Sequence, residues 1–127
     1  MMIEIRELTK RHGERTVLDG VTVSFEKGKV TSLVGPSGGG KSTLLRCING
    51  LETFDAGSID VEGAVLRAGR HDSRTLATIR GRVGFVFQQF HLFPHRTALG
   101  NVAEAPIHVR GVDPERAWEE GRALLAK

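Results

Sequence analysis

Apolar and polar residues alternate at the start of the chain, over Ile3-Glu-Ile-Arg-Glu-Leu8. That period is the one of a half-exposed strand. Residues 21–25 alternate in the same way, and the stretch 9–15 around Gly13 is expected to turn between them. Residues 26–29 lead into Val30, Thr31, Ser32, Leu33 and Val34, a β-branched run expected to form a buried strand. The first third therefore reads as antiparallel β structure entering a glycine-rich loop. After the loop, residues 44–49 have helical periodicity and stop at Gly50, a C-cap residue type. Residues 52–57 read as loop, and residues 58–62 and 64–66 flank Gly63 as a short hairpin. Residues 70–74 look like a helix entry, with Asp72 or Ser73 as N-cap and Leu76 and Ile79 on the buried face. The continuous apolar run 83–87 is expected to be a buried strand, ending in an aromatic-rich loop at 88–95. Asp113, Pro114 and Glu115 form a strong helix start. Ala117, Trp118, Gly121, Leu124 and Leu125 recur beyond it at helical spacing, and no stop signal precedes Lys127.

The candidate chemistry lies between the expected strand at 30–34 and the helix that follows. Gly35, Gly40, Lys41 and Ser42 fit the pattern G-x-x-x-x-G-K-[ST], filled by Pro36, Ser37, Gly38 and Gly39 and followed by Thr43. A strand, a glycine loop and a helix in succession are the context that gives this pattern meaning. Gly38, Gly39 and Gly40 let the backbone approach an anion and adopt conformations that a Cβ would penalise. Their amides then form a nest at a helix N-terminus, where partial positive charge and unpaired donors favour phosphate. Lys41 adds a full charge for the β- and γ-phosphates, and the Ser42 hydroxyl is suited to Mg²⁺. The loop is read as a nucleotide site.

Composition changes this picture little. The 127 residues suffice for one domain with a core, and 39% hydrophobic and 26% charged residues are ordinary for a globular chain. The net charge of +3 is spread without basic blocks, so no nucleic-acid partner is expected. Cys47 is the one cysteine, which excludes an internal disulfide and suggests a small core residue in a reducing compartment. No apolar run is long enough to span a bilayer, and the first residues lack an apolar signal core. His71, His91, His95 and His108 show no metal-ligand spacing and read as surface or loop residues.

Further along, the order of motifs resembles the ATP-binding subunit of an ATP-binding-cassette (ABC) transporter over nearly the whole chain. The resemblance rests on residues 17–21 (Val-Leu-Asp-Gly-Val), the phosphate loop, the helix from Ser42, Gly57-Ser58-Ile59 and the segment 83–88. The wording of residues 44–52, 87–95 and 101–106 is closest to the branch that takes up polar amino acids. The implied fold is α/β, a P-loop NTPase of the cassette type. It would have an antiparallel β subdomain, an incomplete parallel core sheet and the start of a helical subdomain. Residues 1–87 would be the β subdomain and phosphate-loop core, and residues 88–127 the Q-loop and the start of the helical subdomain.

The resemblance also implies roles. Residues 35–43 would hold ATP, with Lys41 and Gln88 catalytic and with Ser42 and Gln88 serving Mg²⁺. Read physically, without the resemblance, Gln88 is equally a surface amide. Phe90, Leu92 and Phe93 are either core or an apolar dock for a membrane subunit. His12 stands where the family usually has a ring that stacks on adenine, with less area here. Gly39 replaces a commoner serine. Gly100 replaces a usual glutamate, removing a charge and costing about 1 kcal/mol of helix propensity.

The implied partners are transmembrane permease subunits docking near residues 88–106, a second ATP-binding subunit and, indirectly, an extracytoplasmic solute-binding protein. The implied location is the cytoplasmic face of the membrane. Neither the Leu-Ser-Gly-Gly-Gln signature, the Walker B acids nor the switch histidine occurs in these 127 residues. The chain alone is therefore expected to hydrolyse ATP negligibly and to behave as a truncated, marginally stable fragment with an exposed apolar edge. The alternatives are a non-catalytic nucleotide-binding fragment, or a cassette for methionine, phosphonate or another solute, or one acting on nucleic acid.

Overall fold

The computed structural model describes residues 2–69 and 72–127. His71, and Arg70 of the expected helix entry, lie outside the described residues. Two compact units are present, one ending at Phe85 and the other beginning at Val86.

In the first unit β1 (Ile3–His12) and β2 (Arg15–Phe25) pair antiparallel, closed by His12 opposite Arg15. Only two residues turn, with Gly13 at φ 60°, a sign of φ that the first loop position of a tight hairpin requires. The turn expected over 9–15 is therefore shorter. The strands run on to His12 and from Arg15, continuing the pairing through Arg11 opposite Thr16. Helix α1 (Lys41–Ile48) follows the loop. Next come β3 (Ala56–Val61) and β4 (Ala64–Arg67), joined by Glu62 and Gly63 at φ 50° and 87°. The sheet order is β2-β1-β3-β4, all pairs antiparallel. A register shift between Arg6 and Thr9 lets the backbone at Glu7 lie against Gly57, where a Cβ would collide with the carbonyl oxygens of Arg6 and Glu7.

Alternation along the strands puts Ile3, Ile5, Ile59, Val61 and Leu66 into the core, and the irregularity at Glu7 (φ 50°) turns Leu8 to the same side; there they meet Leu44, Cys47 and Ile48 of α1, Phe54, and Ile79 of α2 (Ser73–Arg82). Burying each large apolar side chain contributes about 1.5–3 kcal/mol, so this core holds the unit together. Asp72 caps α2 by accepting from the Thr75 amide, and that bond holds its carboxyl below the usual range.

Two expected strands are not formed. Residues 30–34 and 83–87 have no strand pairing among the described residues, and Val30, Val34 and Val86 are 97%, 93% and 96% exposed. A strand apolar on both faces needs paired neighbours and cover on each side. Here only Leu33 and Val83 reach the core.

The second unit is a helical hairpin, α3 (Ala98–His108) and α4 (Pro114–Leu125). Thr97 caps α3 through the Gly100 amide, and Asp113 caps α4 through the amides of Glu115 and Arg116. Gly121 brings the helices close, since a Cβ there would stand 2.8 Å from Leu99 Cδ1. Helix α4 stops at Leu125 rather than running on, and Leu124 and Leu125 are exposed despite their spacing.

Candidate functional site

The amphipathic face of α1 fixes the loop before it. Thr43, Leu44, Cys47 and Ile48 are buried, which pins the helix N-terminus under β2. Gly40 closes that junction at φ 80°, with Val17 O so near that a Cβ would stand 2.7 Å from it. No side chain caps α1, and no acid lies in its first turn. The amides of Lys41, Ser42 and Thr43 therefore have no intrahelical acceptor, and the dipole end is uncompensated.

These amides border a cavity of about 320 Å³ lined by His12, Arg15, Val17 and residues 38–43. Its described lining contains two permanent cations and no carboxylate. Lys41 Nζ donates to Gly35 O at 2.9 Å and to Pro36 O at 2.7 Å, leaving one of its three donors for a ligand. Arg15 Nη2 donates to Gly38 O at 3.3 Å. A cationic hollow floored by free amides and glycines suits a polyphosphate, and the Ser42 hydroxyl at the same wall can ligate its metal.

Of the residues named from sequence, His12, Gly38, Gly39, Gly40, Lys41, Ser42 and Thr43 meet on this cavity. Gly35 and Pro36 take part through their carbonyls, and Ser37 is an exposed loop residue outside the lining. Gln88 is exposed and belongs to the second unit. In that unit Phe90 is 91% exposed, and Leu92 and Phe93 are also exposed, so none of the three is core. The Phe87 and His91 rings meet at 4.7 Å between centroids, tilted by 50°.

Sequence reasoning missed Arg15 and Val17 as lining residues. It also missed Glu52, whose Oε1 lies 2.5 Å from His12 Nε2, and the task of Asn101. Asn101 brackets Phe93, accepting from its amide at 2.7 Å and donating to its carbonyl at 3.2 Å, which fixes the aromatic loop. The available signal was a single asparagine, Asn101, at the start of the segment 101–106. Arg15 has none, being one of three arginines in the β1–β2 hairpin. Cys47 is no nucleophile: burial, with Glu52 adding to it, pushes its thiol up to about 11.

Residues 18–126 match the ABC transporter family. Among curated proteins, the glutamine transport ATP-binding protein GlnQ of Escherichia coli K12 is 46% identical over 99% of this chain and 51% of its own length. The arginine/ornithine transport ATP-binding protein AotP of Pseudomonas aeruginosa PAO1 is 46% identical over 98% of this chain and 52% of its own length. The chain thus spans about half the length of the curated relatives it matches. Among solved structures, a dimeric post-hydrolysis state of the ATP-binding cassette MJ0796 bound to ADP and Pi shares 32% identity and a TM-score of 0.80. That match covers 98% of this chain and 56% of the other.

Proposed function

The chain belongs to the ABC transporter family, and on that premise we propose that it is the nucleotide-binding portion of an ATP-binding subunit that powers uptake of a polar amino acid. One observation carries the reading. The free amides of the first turn of α1, the glycines before it and the cations Lys41 and Arg15 converge on one cavity with no acid among its described lining residues.

In this reading the triphosphate lies along the amides of residues 38–43, with Lys41 at the β- and γ-phosphates and His12 beside the nucleoside. Phosphoryl transfer of this kind depends on positioning and on neutralising charge that builds on the phosphate oxygens. Mg²⁺, with the Ser42 hydroxyl as a ligand, would supply part of that neutralisation. The Gln88 side chain would orient the attacking water once a second ATP-binding subunit closes on the site. The exposed loop around Phe90, Leu92 and Phe93, with residues up to 106, would dock on permease subunits at the cytoplasmic face of the membrane. An extracytoplasmic solute-binding protein would deliver the amino acid. The names of the relatives that transport glutamine, arginine and ornithine support this class of solute.

Calorimetric titration of the chain with Mg-ATP and with AMP tests the reading. Saturable binding of ATP is expected, with AMP, which lacks the polyphosphate tail, at least about tenfold weaker because charged hydrogen bonds to the tail are worth about 1.5–3 kcal/mol each. Equal affinity for the two, or binding of neither, contradicts it.

A further inference from the structure

His12 is the one aromatic ring among the described residues that line the cavity, so a nucleobase that stacks there stacks on imidazole. Its side chain is 52% exposed, and an exposed ring on a hairpin end would ordinarily sample several rotamers. Here it is tied. Nε2 lies 2.5 Å from Glu52 Oε1, and Glu52 itself is mostly covered, its side chain 18% exposed. A carboxylate only accepts, so the contact places the hydrogen on Nε2.

Glu52 is in turn held by its surroundings. Lys10 Nζ stands 4.0 Å from the same oxygen. Three residues on, Asp55 Oδ2 accepts from the Arg11 amide at 2.6 Å, and the Asp55 amide donates to Thr9 O at 2.9 Å. The segment leaving α1 is thus stitched to the last turns of β1, and the same helix that presents phosphate-binding amides at its start carries the anchor for the ring just past its end.

We infer that Glu52 is a positioning residue for nucleobase recognition: it never touches the ligand and acts by holding the His12 ring in place against the cavity. The inference rests on the nucleotide-site reading above. A ring fixed in advance loses less freedom when a base stacks on it, which compensates for the small area of imidazole.

The test compares two ligands of the same 127-residue chain, Mg-ATP and inorganic triphosphate, the second having no base. Glu52→Ala is expected to weaken ATP by about three- to tenfold, the range of one aromatic contact, and to leave triphosphate affinity unchanged. Glu52→Gln, which keeps a carbonyl acceptor for Nε2–H, should recover most of the loss. In a His12→Ala background Glu52→Ala should add nothing. Equal loss for both ligands, including loss through unfolding, assigns Glu52 to structure and overturns the inference, as does an additive double variant or no loss at all. If the unaltered chain binds neither ligand, the nucleotide-site reading itself fails; if it binds both and Glu52→Ala is silent, only the role of Glu52 fails.

Discussion

Lys41→Ala is expected to weaken ATP binding at least about 30-fold. Truncating one partner of a close charged pair costs about 2–5 kcal/mol, and about 1.4 kcal/mol is a factor of ten. Two effects add here. The ligand loses its ammonium partner, and the loop loses the tie that Nζ makes to Gly35 O and Pro36 O. Lys41→Arg should not rescue affinity, because a planar fork cannot place its donors where a compact ammonium reaches two carbonyls and a phosphate. Arg15→Ala should cost less, since that side chain makes one long bond to the loop, 3.3 Å to Gly38 O. Calorimetry on the three variants checks the order; a Lys41→Ala loss below about threefold contradicts it.

Gly40→Ala should be the most damaging of the glycine substitutions in the loop, for fold as well as for binding. Its φ of 80° is costly for any residue with a Cβ, about 1–2 kcal/mol. The added atom would also lie 2.7 Å from Val17 O and 2.9 Å from Leu18 Cδ2. The leucine methyl can move, but the carbonyl is strand backbone, so either α1 or β2 must shift. A total of about 3 kcal/mol or more is expected, lowering Tm by about 10 °C. Gly38 is the control. It has φ 76°, yet its nearest neighbour would be the Arg15 guanidinium at 3.8 Å, so Gly38→Ala should show the torsional cost alone. Equal melting temperatures for the two variants would mean that Gly40 is not wedged under β2.

These residues also show which features a sequence can reveal. The glycine-rich loop and the helix that follows it were legible because their signal is local: spacing, glycines and an amphipathic helix within a few turns. The caps Asp72 and Asp113 and the hairpin at Gly63 were legible for the same reason. Local pattern failed where the outcome depends on distant partners. Residues 30–34 and 83–87 have strand composition, but composition cannot supply the neighbouring strand that would pair with them. The order β2-β1-β3-β4 follows from β1 meeting β3, a contact that no short pattern announces. The need for glycine at 57 appears only once the backbone at Glu7 lies against it. His12 and Glu52 are 40 positions apart, and neither points to the other in sequence. Leu124 and Leu125 kept helical spacing and are exposed, because spacing defines a face but not what covers it.

Backbone amides are the groups proposed to hold the nucleotide, and side-chain substitutions probe them only indirectly. Amide chemical shifts of the ¹⁵N-labelled chain, followed through a titration with Mg-ATP, observe them one by one. The largest changes should fall on the amides of Gly38, Gly39, Gly40, Lys41, Ser42 and Thr43, which line the cavity, with smaller changes at His12. Saturating nucleotide that leaves those six resonances in place, or moves a different set, would contradict the account.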